Sequence, residues 1–316
     1  MFGIMNVVQN IESFKPNKKT VLTIGTFDGV HIGHQKIIKS LVDLAHHKNL
    51  EASILTFFPH PRMVLQQEIG IKLIDTLEEK KRVLEGLGVD NLIIHPFTKS
   101  FSKLTALEFS RDVLAEQLQI RSLFIGYDHR FGRNREATAS DLVGLGKTYG
   151  FEVHIIPKQE IDSITVSSTK IRKAIEQGNF KRVHDFLGRP FELSGTVTKG
   201  QGLGRTIDFP TANILVKETY KLIPPRGVYL VGAEVNHRSF FGMMNVGIRP
   251  TVNGKHETLE VHLFDCEENL YDLNLKIEFI EKIRDEVKFQ SFDHLKIQLE
   301  KDKEVCKRTL ISKGIR

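Results

Sequence analysis

Tryptophan is absent from this chain of 316 residues, and Cys266 and Cys306 are its only cysteines. Two cysteines cannot build a disulfide framework, so a reducing compartment is expected. No apolar run is long enough to cross a membrane, and the first residues lack a basic stretch followed by an apolar core. The expected location is the cytoplasm, with no membrane partner. Internal repeats and low-complexity tracts are missing too. The charge excess is modest, +6 with a pI near 9.1. That suits anionic ligands, but without a concentrated basic stripe it gives no reason to expect nucleic acid. What remains is an ordinary soluble composition, 40% hydrophobic and 27% charged, long enough for two domains with separate cores.

Up to about Gly188, short apolar runs alternate with helical patterns. The runs 21–24, 52–57, 91–95, 123–126 and 152–156 predict strands, and stretches near 35–47, 77–87, 106–118 and 141–149 predict helices. Thr105 and Glu108 make a capping box, and Gly150 is placed to end a helix. This alternation predicts a doubly wound parallel sheet, an α/β domain over residues 1–187, with ligands at the carboxyl ends of the strands. Two short helices, near 169–176 and 180–187, precede Gly188-Arg189-Pro190. Beyond it, 192–198, 211–216, 227–235, 239–246, 258–264 and 273–280 predict closely spaced strands, an antiparallel sheet or barrel over residues 188–316. A final helix is expected over 292–310.

Two segments carry most of the chemistry. Gly25-Thr26-Phe27-Asp28-Gly29-Val30-His31-Ile32-Gly33-His34 lies between the first strand and an amphipathic helix, so His31 and His34 can face one ligand at the helix start. Backbone amides and the positive helix end favour phosphate there. A zinc site is the competing use of the histidines, but further ligands at suitable spacing are missing nearby. Ser167-Ser168-Thr169-Lys170-Ile171-Arg172 offers hydroxyl caps followed by cations. Two phosphate-binding helix starts suggest chemistry on a nucleoside triphosphate. His46-His47 and Lys80-Lys81-Arg82 read as exposed helix faces.

In the second half, Gly200-Gln201-Gly202-Leu203-Gly204-Arg205 has the wrong spacing for a dinucleotide fingerprint, and no helix follows. A phosphate-approaching loop and a plain hairpin connection both fit it. In Phe209-Pro210-Thr211-Ala212-Asn213, a hydroxyl and an amide carbonyl share one strand face and can hold Mg²⁺ beside phosphate oxygens. Glu260 and His262 likewise share a face, and Glu260 can accept a proton from an alcohol. For each strand, a merely polar or solvated face explains the pattern as well.

These segments, with Thr56-Phe57-Phe58-Pro59-His60-Pro61, Gly126-Tyr127-Asp128-His129-Arg130-Phe131-Gly132, Asn245-Val246-Gly247-Ile248-Arg249-Pro250-Thr251 and Ile283-Arg284-Asp285-Glu286, fall in one order. In that order the chain resembles the prokaryotic bifunctional riboflavin kinase/FMN adenylyltransferase (FAD synthetase) family, from about Val21 to Lys296. The resemblance implies an N-terminal nucleotidyltransferase domain that transfers AMP from ATP to FMN, giving FAD and pyrophosphate. It also implies a six-stranded antiparallel β-barrel with a C-terminal helix, which phosphorylates the ribityl 5′-hydroxyl of riboflavin.

By the same resemblance, His31 and His34 contact ATP phosphates, with Ser168, Thr169 and Arg172 closing on the other side. Gly25, Phe27, Gly33, His60, Pro61 and Ser167 complete the ATP site. Asp128 lies near the flavin, and Arg130, with Arg133 and Arg135, either reaches FMN phosphate or belongs to a solvated loop. In the kinase domain Gly204, Pro210, Thr211 and Asn213 bind ATP, the last two through Mg²⁺. Glu260 activates the alcohol, and Arg284 holds the flavin end. The implied partners are ATP, riboflavin and FMN, and the chain is expected to be a monomer or weak homo-oligomer.

Four positions depart from the family pattern, one of them His129, which stands where an aromatic is usual. Asp208 and Asp272 stand where glycine is usual, and Ala137 lies near another usual glycine. They leave open a monofunctional FMN adenylyltransferase with a weakened kinase domain. A flavin-sensing nucleic-acid regulator is a further, non-enzymatic reading.

Overall fold

The computed structural model describes residues 4–65, 70–126, 130–156, 160–161, 164–200, 203–251 and 254–315. Its contacts divide the chain into two units, Met1–Ser168 and Thr169–Arg316.

In the first unit the elements follow as β1 (Asn6–Val8), β2 (Thr20–Ile24), α1 (Ile32–His47), β3 (Glu51–Phe57), α2 (Pro61–Leu65), α3 (Leu77–Gly86), β4 (Asn91–His95), α4 (Ala106–Glu108) and β5 (Ile120–Gly126). Then come β6 (Arg130–Phe131), β7 (Ala137–Thr138), α5 (Ala139–Tyr149), β8 (Glu152–Ile156), β9 (Glu160–Ile161) and β10 (Ile164–Thr165). Six strands form one sheet in the order β1-β4-β3-β2-β5-β8, and every neighbouring pair is parallel. All residues of β2 and β4 are buried, as two covered faces require. Alternate residues feed opposite cores. Leu22, Leu55 and Leu123 pack with Leu114 and Leu142, whereas Val21, Ile54 and Leu92 pack with Ile38, Leu41 and Leu84.

The chain runs from β2 to β3 and β4 on one side, then returns to β5 and β8 on the other. Strand order therefore reverses between β2 and β5, which is where an open α/β sheet leaves a crevice at its carboxyl edge. Thr105 and Gly150 cap as expected. Several details differ from the sequence reading, among them the short strand β1, which the sequence pattern does not predict. Helix α1 begins at Ile32 and not near Gln35. After Glu108, residues Phe109–Gln117 wind as a π-helix, and the amide of Leu118 bonds to Val113 O at 2.9 Å.

The second unit takes in most of α6 (Ser168–Glu176), then α7 (Phe180–Leu187), β11 (Phe191–Thr198), β12 (Ala212–Leu215), β13 (Gly227–Val235), β14 (Arg238–Thr251), β15 (Gly254–Leu263), β16 (Asn274–Arg284) and α8 (Phe292–Ser312). The six strands close into a barrel in the order β11-β12-β15-β14-β13-β16. Phe191, Leu193 and Val197 alternate inward along β11. Phe180 of α7 stacks on Phe279 with centroids 5.2 Å apart and meets Tyr229 edge-on. On α8, Cys306 and Leu310 cover Val228, Leu230 and Met243. No helix among the described residues is long and apolar enough to cross a membrane.

Candidate active sites

The first site grows from the carboxyl end of β2. Gly25 extends the ladder, its amide donating to Leu55 O at 3.1 Å, and the chain then turns tightly. Phe27 (φ 44°), Gly29 (φ 84°) and Val30 (φ 35°) are left-handed. Glycine adopts that region freely, but phenylalanine and a β-branched valine are strained in it, so surrounding structure must hold them. Both are buried, and the loop carbonyls are pinned. Thr26 O accepts from Lys80 Nζ at 2.7 Å and from the Thr56 hydroxyl at 3.3 Å. Asp28 O accepts from the Ser168 hydroxyl at 2.9 Å, and Val30 O from Gln35 Nε2 at 2.9 Å. The Asp28 carboxylate accepts the Ile74 amide at 2.8 Å.

This loop delivers His31 as the N-cap of α1, its Nδ1 accepting the His34 amide at 3.3 Å. The two imidazoles stack with centroids 3.6 Å apart and 14° between planes, and Phe27 meets His34 edge-on at 5.1 Å. Burial lowers the His31 pKa to about 4, partly offset by its backbone hydrogen bond. Burial, then the neighbouring charges of His31 and Lys80, holds His34 well below the usual histidine value. At neutral pH both rings are uncharged, each with one N–H to donate. Nδ1 of His34 is buried with no hydrogen-bond partner among the described residues. A buried polar atom without a partner at a helix N-terminus suits an incoming anion.

Gly33 lies on the first turn of α1. His60 and Pro61 follow β3, next to β2 in the sheet, and His60 Nδ1 accepts the Arg62 amide at 3.1 Å. Ser168 is tied to the loop as described above. Ser167 precedes it, while Thr169 and Arg172 stand further along α6. Asp128 lies outside the described residues. Arg130, Arg133 and Arg135 are exposed. The exposed face expected for Lys80-Lys81-Arg82 is corrected at Lys80, which is buried against the Thr26 carbonyl and near the carboxylates of Asp28 and Asp75. The loop-holding roles of Lys80, Thr56 and Asp28 are ones that sequence reasoning missed, although Thr56 and Asp28 lay within motifs.

The second site sits on the barrel. Asn213 of β12 is paired with Glu260 of β15, which is paired with Asn245 of β14. Directly opposed residues of antiparallel strands point to the same face, so an amide, a carboxylate and a second amide lie in one row. All three are half-buried, and Thr211, two residues before Asn213, is exposed. A Cβ on Gly200 would lie 2.1 Å from Asn213 Nδ2, so the glycine loop rests directly on that amide. Near Gly247 the Glu286 carboxylate, the Asn245 amide and the Thr258 hydroxyl converge within 3.4 Å of the place of a Cβ. Asn245 and Glu286 fell within quoted motifs without an assigned role.

His262 is not a solvated neighbour of Glu260. It is buried between Phe209 and Phe264, and its Nδ1 donates to Pro210 O at 2.8 Å. Burial lowers its pKa, so the neutral ring braces the turn that presents Thr211. Gly204 O accepts the Phe209 amide at 2.9 Å on the other side of that turn. Arg284 grips Asp302 of α8 through Nε and Nη2 at 2.8–3.0 Å, and its Nη1 donates to Asp285 O.

The two aspartates that replace usual glycines are explained by the backbone. Asp208 has φ 64° and Asp272 φ 63°, and aspartate tolerates the left-handed region better than most side chains. Asp208 is ion-paired with Lys296 at 2.7 Å, and this lysine holds its carboxyl below the usual range.

Two family models match the sequence, FAD synthetase over residues 13–170 and riboflavin kinase over residues 187–310. The bifunctional riboflavin kinase/FMN adenylyltransferase of Haemophilus influenzae is 39% identical over 287 residues, covering 90% of this chain and 92% of that protein. Its namesake from Listeria monocytogenes is 38% identical, with 90% of each chain covered. A crystal structure named as a macrolide-efflux protein from Streptococcus pneumoniae matches with a TM-score of 0.86 at 32% identity, covering 96% of this chain and 99% of that one. Both family regions occur in one chain, and the relatives match it along nearly its whole length. The chain belongs to the bifunctional riboflavin kinase/FMN adenylyltransferase family.

Proposed function

We propose that this chain makes FAD from riboflavin in two ATP-dependent steps, each at its own site. The observation that carries the reading is the stacked, uncharged pair His31–His34 at the strand-order reversal, with a buried Nδ1 awaiting a partner. The presence of both family regions favours two activities over a single adenylyltransferase.

In the first unit, a phosphate oxygen of FMN attacks the α-phosphorus of ATP. A P–O bond forms, the bond to the β-phosphate oxygen breaks, and pyrophosphate leaves. FMN phosphate is already a competent nucleophile, so alignment and charge stabilisation suffice. His31 and His34 donate N–H groups to the phosphates, joined by Gly25, Phe27 and Gly33 around the helix start. Ser167, Ser168, Thr169 and Arg172 close on the triphosphate, and His60 and Pro61 border the adenine nucleotide. Asp128 and Arg130 serve the flavin side.

In the barrel, the riboflavin 5′-hydroxyl attacks the γ-phosphorus, its proton passes to Glu260, and ADP leaves. Glu260 stands opposite Asn213, within one row of oxygen and amide groups that suits this transfer. Gly204 and Pro210 carry the turn at the phosphates, and Arg284, anchored by Asp302, positions the flavin end. Thr211 and Asn213 would hold Mg²⁺ through neutral oxygens. Such an ion would be shared with triphosphate oxygens. When bound, Mg²⁺ neutralises charge on the transferring phosphates. The chain works as a monomer or weak homo-oligomer in the cytoplasm, without nucleic-acid or membrane partners.

The test is a product assay. Incubated with ATP and Mg²⁺, riboflavin yields FMN and then FAD, resolved by chromatography, and FMN alone yields FAD. Formation of neither product rejects the proposal, and FAD from FMN only would restore the single-activity alternative.

A further inference from the structure

We propose that Lys80 is a positioning residue for AMP transfer: its buried ammonium clamps the carbonyl of Thr26 and so holds the strained loop that delivers His31 and His34. The inference rests on the AMP-transfer reading of this site. Lys80 is 4% exposed, on α3, yet its Nζ reaches across to Thr26 O at 2.7 Å. A lysine is seldom buried unless it is paired, and two buried carboxylates, Asp28 and Asp75, supply that charge. Asp28 belongs to the same loop, and Asp75 stands just before the capping residue Thr76 of α3. The ammonium therefore joins helix and loop at the residue preceding the left-handed Phe27. If Thr26 O shifted, Phe27 and Val30 would relax from their strained backbone and the imidazole stack would lose its register. Displacement by about 1 Å at a catalytic group costs on the order of 10²-fold in rate.

Lys80 also acts on His34 through charge. Its positive field opposes protonation of that imidazole, alongside burial and the facing ring of His31. The groups that act on Lys80 itself are Asp28 from the loop and Asp75 from the segment before α3. Removing the ammonium takes away a positive charge that opposes protonation of His34, which favours a protonated His34.

The experiment uses the full chain carrying Lys80→Arg or Lys80→Met. Riboflavin phosphorylation serves as an internal control, and the wild type is first shown to make FAD from FMN. Failure of that first assay sinks the underlying reading and not the role of Lys80. Lys80→Arg keeps the charge and misplaces the donor, so kcat for AMP transfer falls about 10-fold or more while riboflavin phosphorylation stays within about twofold. Lys80→Met lowers AMP transfer further, by about 10²-fold, and shifts the NMR titration of His34 upward. A folded variant of either kind with wild-type AMP-transfer kinetics overturns the proposal. So does a folded Lys80→Met that loses rate with an unmoved His34 titration, the signature of a merely structural role. Should both substitutions prevent folding, Lys80→Gln keeps a side-chain N–H donor of shorter reach without the charge, and the same loss of AMP transfer is expected. An unchanged kcat for AMP transfer in that variant is then the overturning result.

Discussion

The imidazole of His31 lies flat on that of His34, centroids 3.6 Å apart, while its Nδ1 caps the helix on which His34 sits. One side chain thus fixes both its own ring and the start of α1. The cost of this arrangement is two buried rings that resist protonation.

That cost predicts a pH dependence of stability. The folded-state pKa of His31, about 4, lies below the unfolded value of 6.5. The unfolded chain therefore binds more protons between these values, and unfolding free energy rises with pH across that window. Lowering the pH from 6.5 to 4 removes on the order of 3 kcal/mol through His31 alone, and His34 acts in the same direction. Urea unfolding followed by circular dichroism across this range measures the slope. His31→Asn keeps a capping acceptor and flattens it.

Gly200 and Asn213 give a selective test of the kinase site. A Cβ at Gly200 would meet the Asn213 amide at 2.1 Å, and the amide can escape only by rotating away from the row it shares with Glu260. Gly200→Ala therefore lowers riboflavin phosphorylation about 10-fold or more, with the melting temperature and AMP transfer unchanged. Steady-state kinetics on riboflavin and on FMN measure the contrast.

The backbone of Asp208 makes its own prediction. Its φ of 64° suits glycine and is tolerated by aspartate. Asp208→Gly leaves melting temperature and riboflavin phosphorylation near wild type. Asp208→Val, β-branched in the same conformation, lowers both. Differential scanning calorimetry with a kinase assay on the two variants separates backbone from charge.

Arg284 and Asp302 tie the end of β16 to α8, with side-chain exposures of 19% and 3%. Asp302→Ala strands a largely buried guanidinium and also removes the partner of Gln298. Breaking such a pair from one side costs about 3 kcal/mol or more. The loss is read as a lower urea midpoint for the barrel's transition.

Much of this was legible in the chain because local signals agreed. The Thr105–Glu108 box, Gly150 and the alternation along β11 are written in neighbouring residues. β1, three residues long, is recognised only through its pairing with β4, more than eighty positions away. The long hairpin of β14 and β15 runs beyond Val246 through Gly247 and Pro250, residues that read locally as turn formers but are carried by the ladder. Lys80 looked like one member of a basic, solvated face, and its burial depends on Thr26 and Asp28, over fifty positions upstream. His262 shared a strand face with Glu260 in the pattern, yet Phe209 and Phe264 enclose it. Motif residues were found from sequence, whereas the long-range contacts that hold them in place, such as Lys80 to Thr26, were not.

The most direct test of two separate sites assays His31→Ala and Glu260→Ala in the full chain, each on riboflavin and on FMN with ATP and Mg²⁺. His31→Ala should lose about 10²-fold or more in FAD formation from FMN while still phosphorylating riboflavin, and Glu260→Ala should show the reverse. Loss of both reactions in either folded variant would contradict the account.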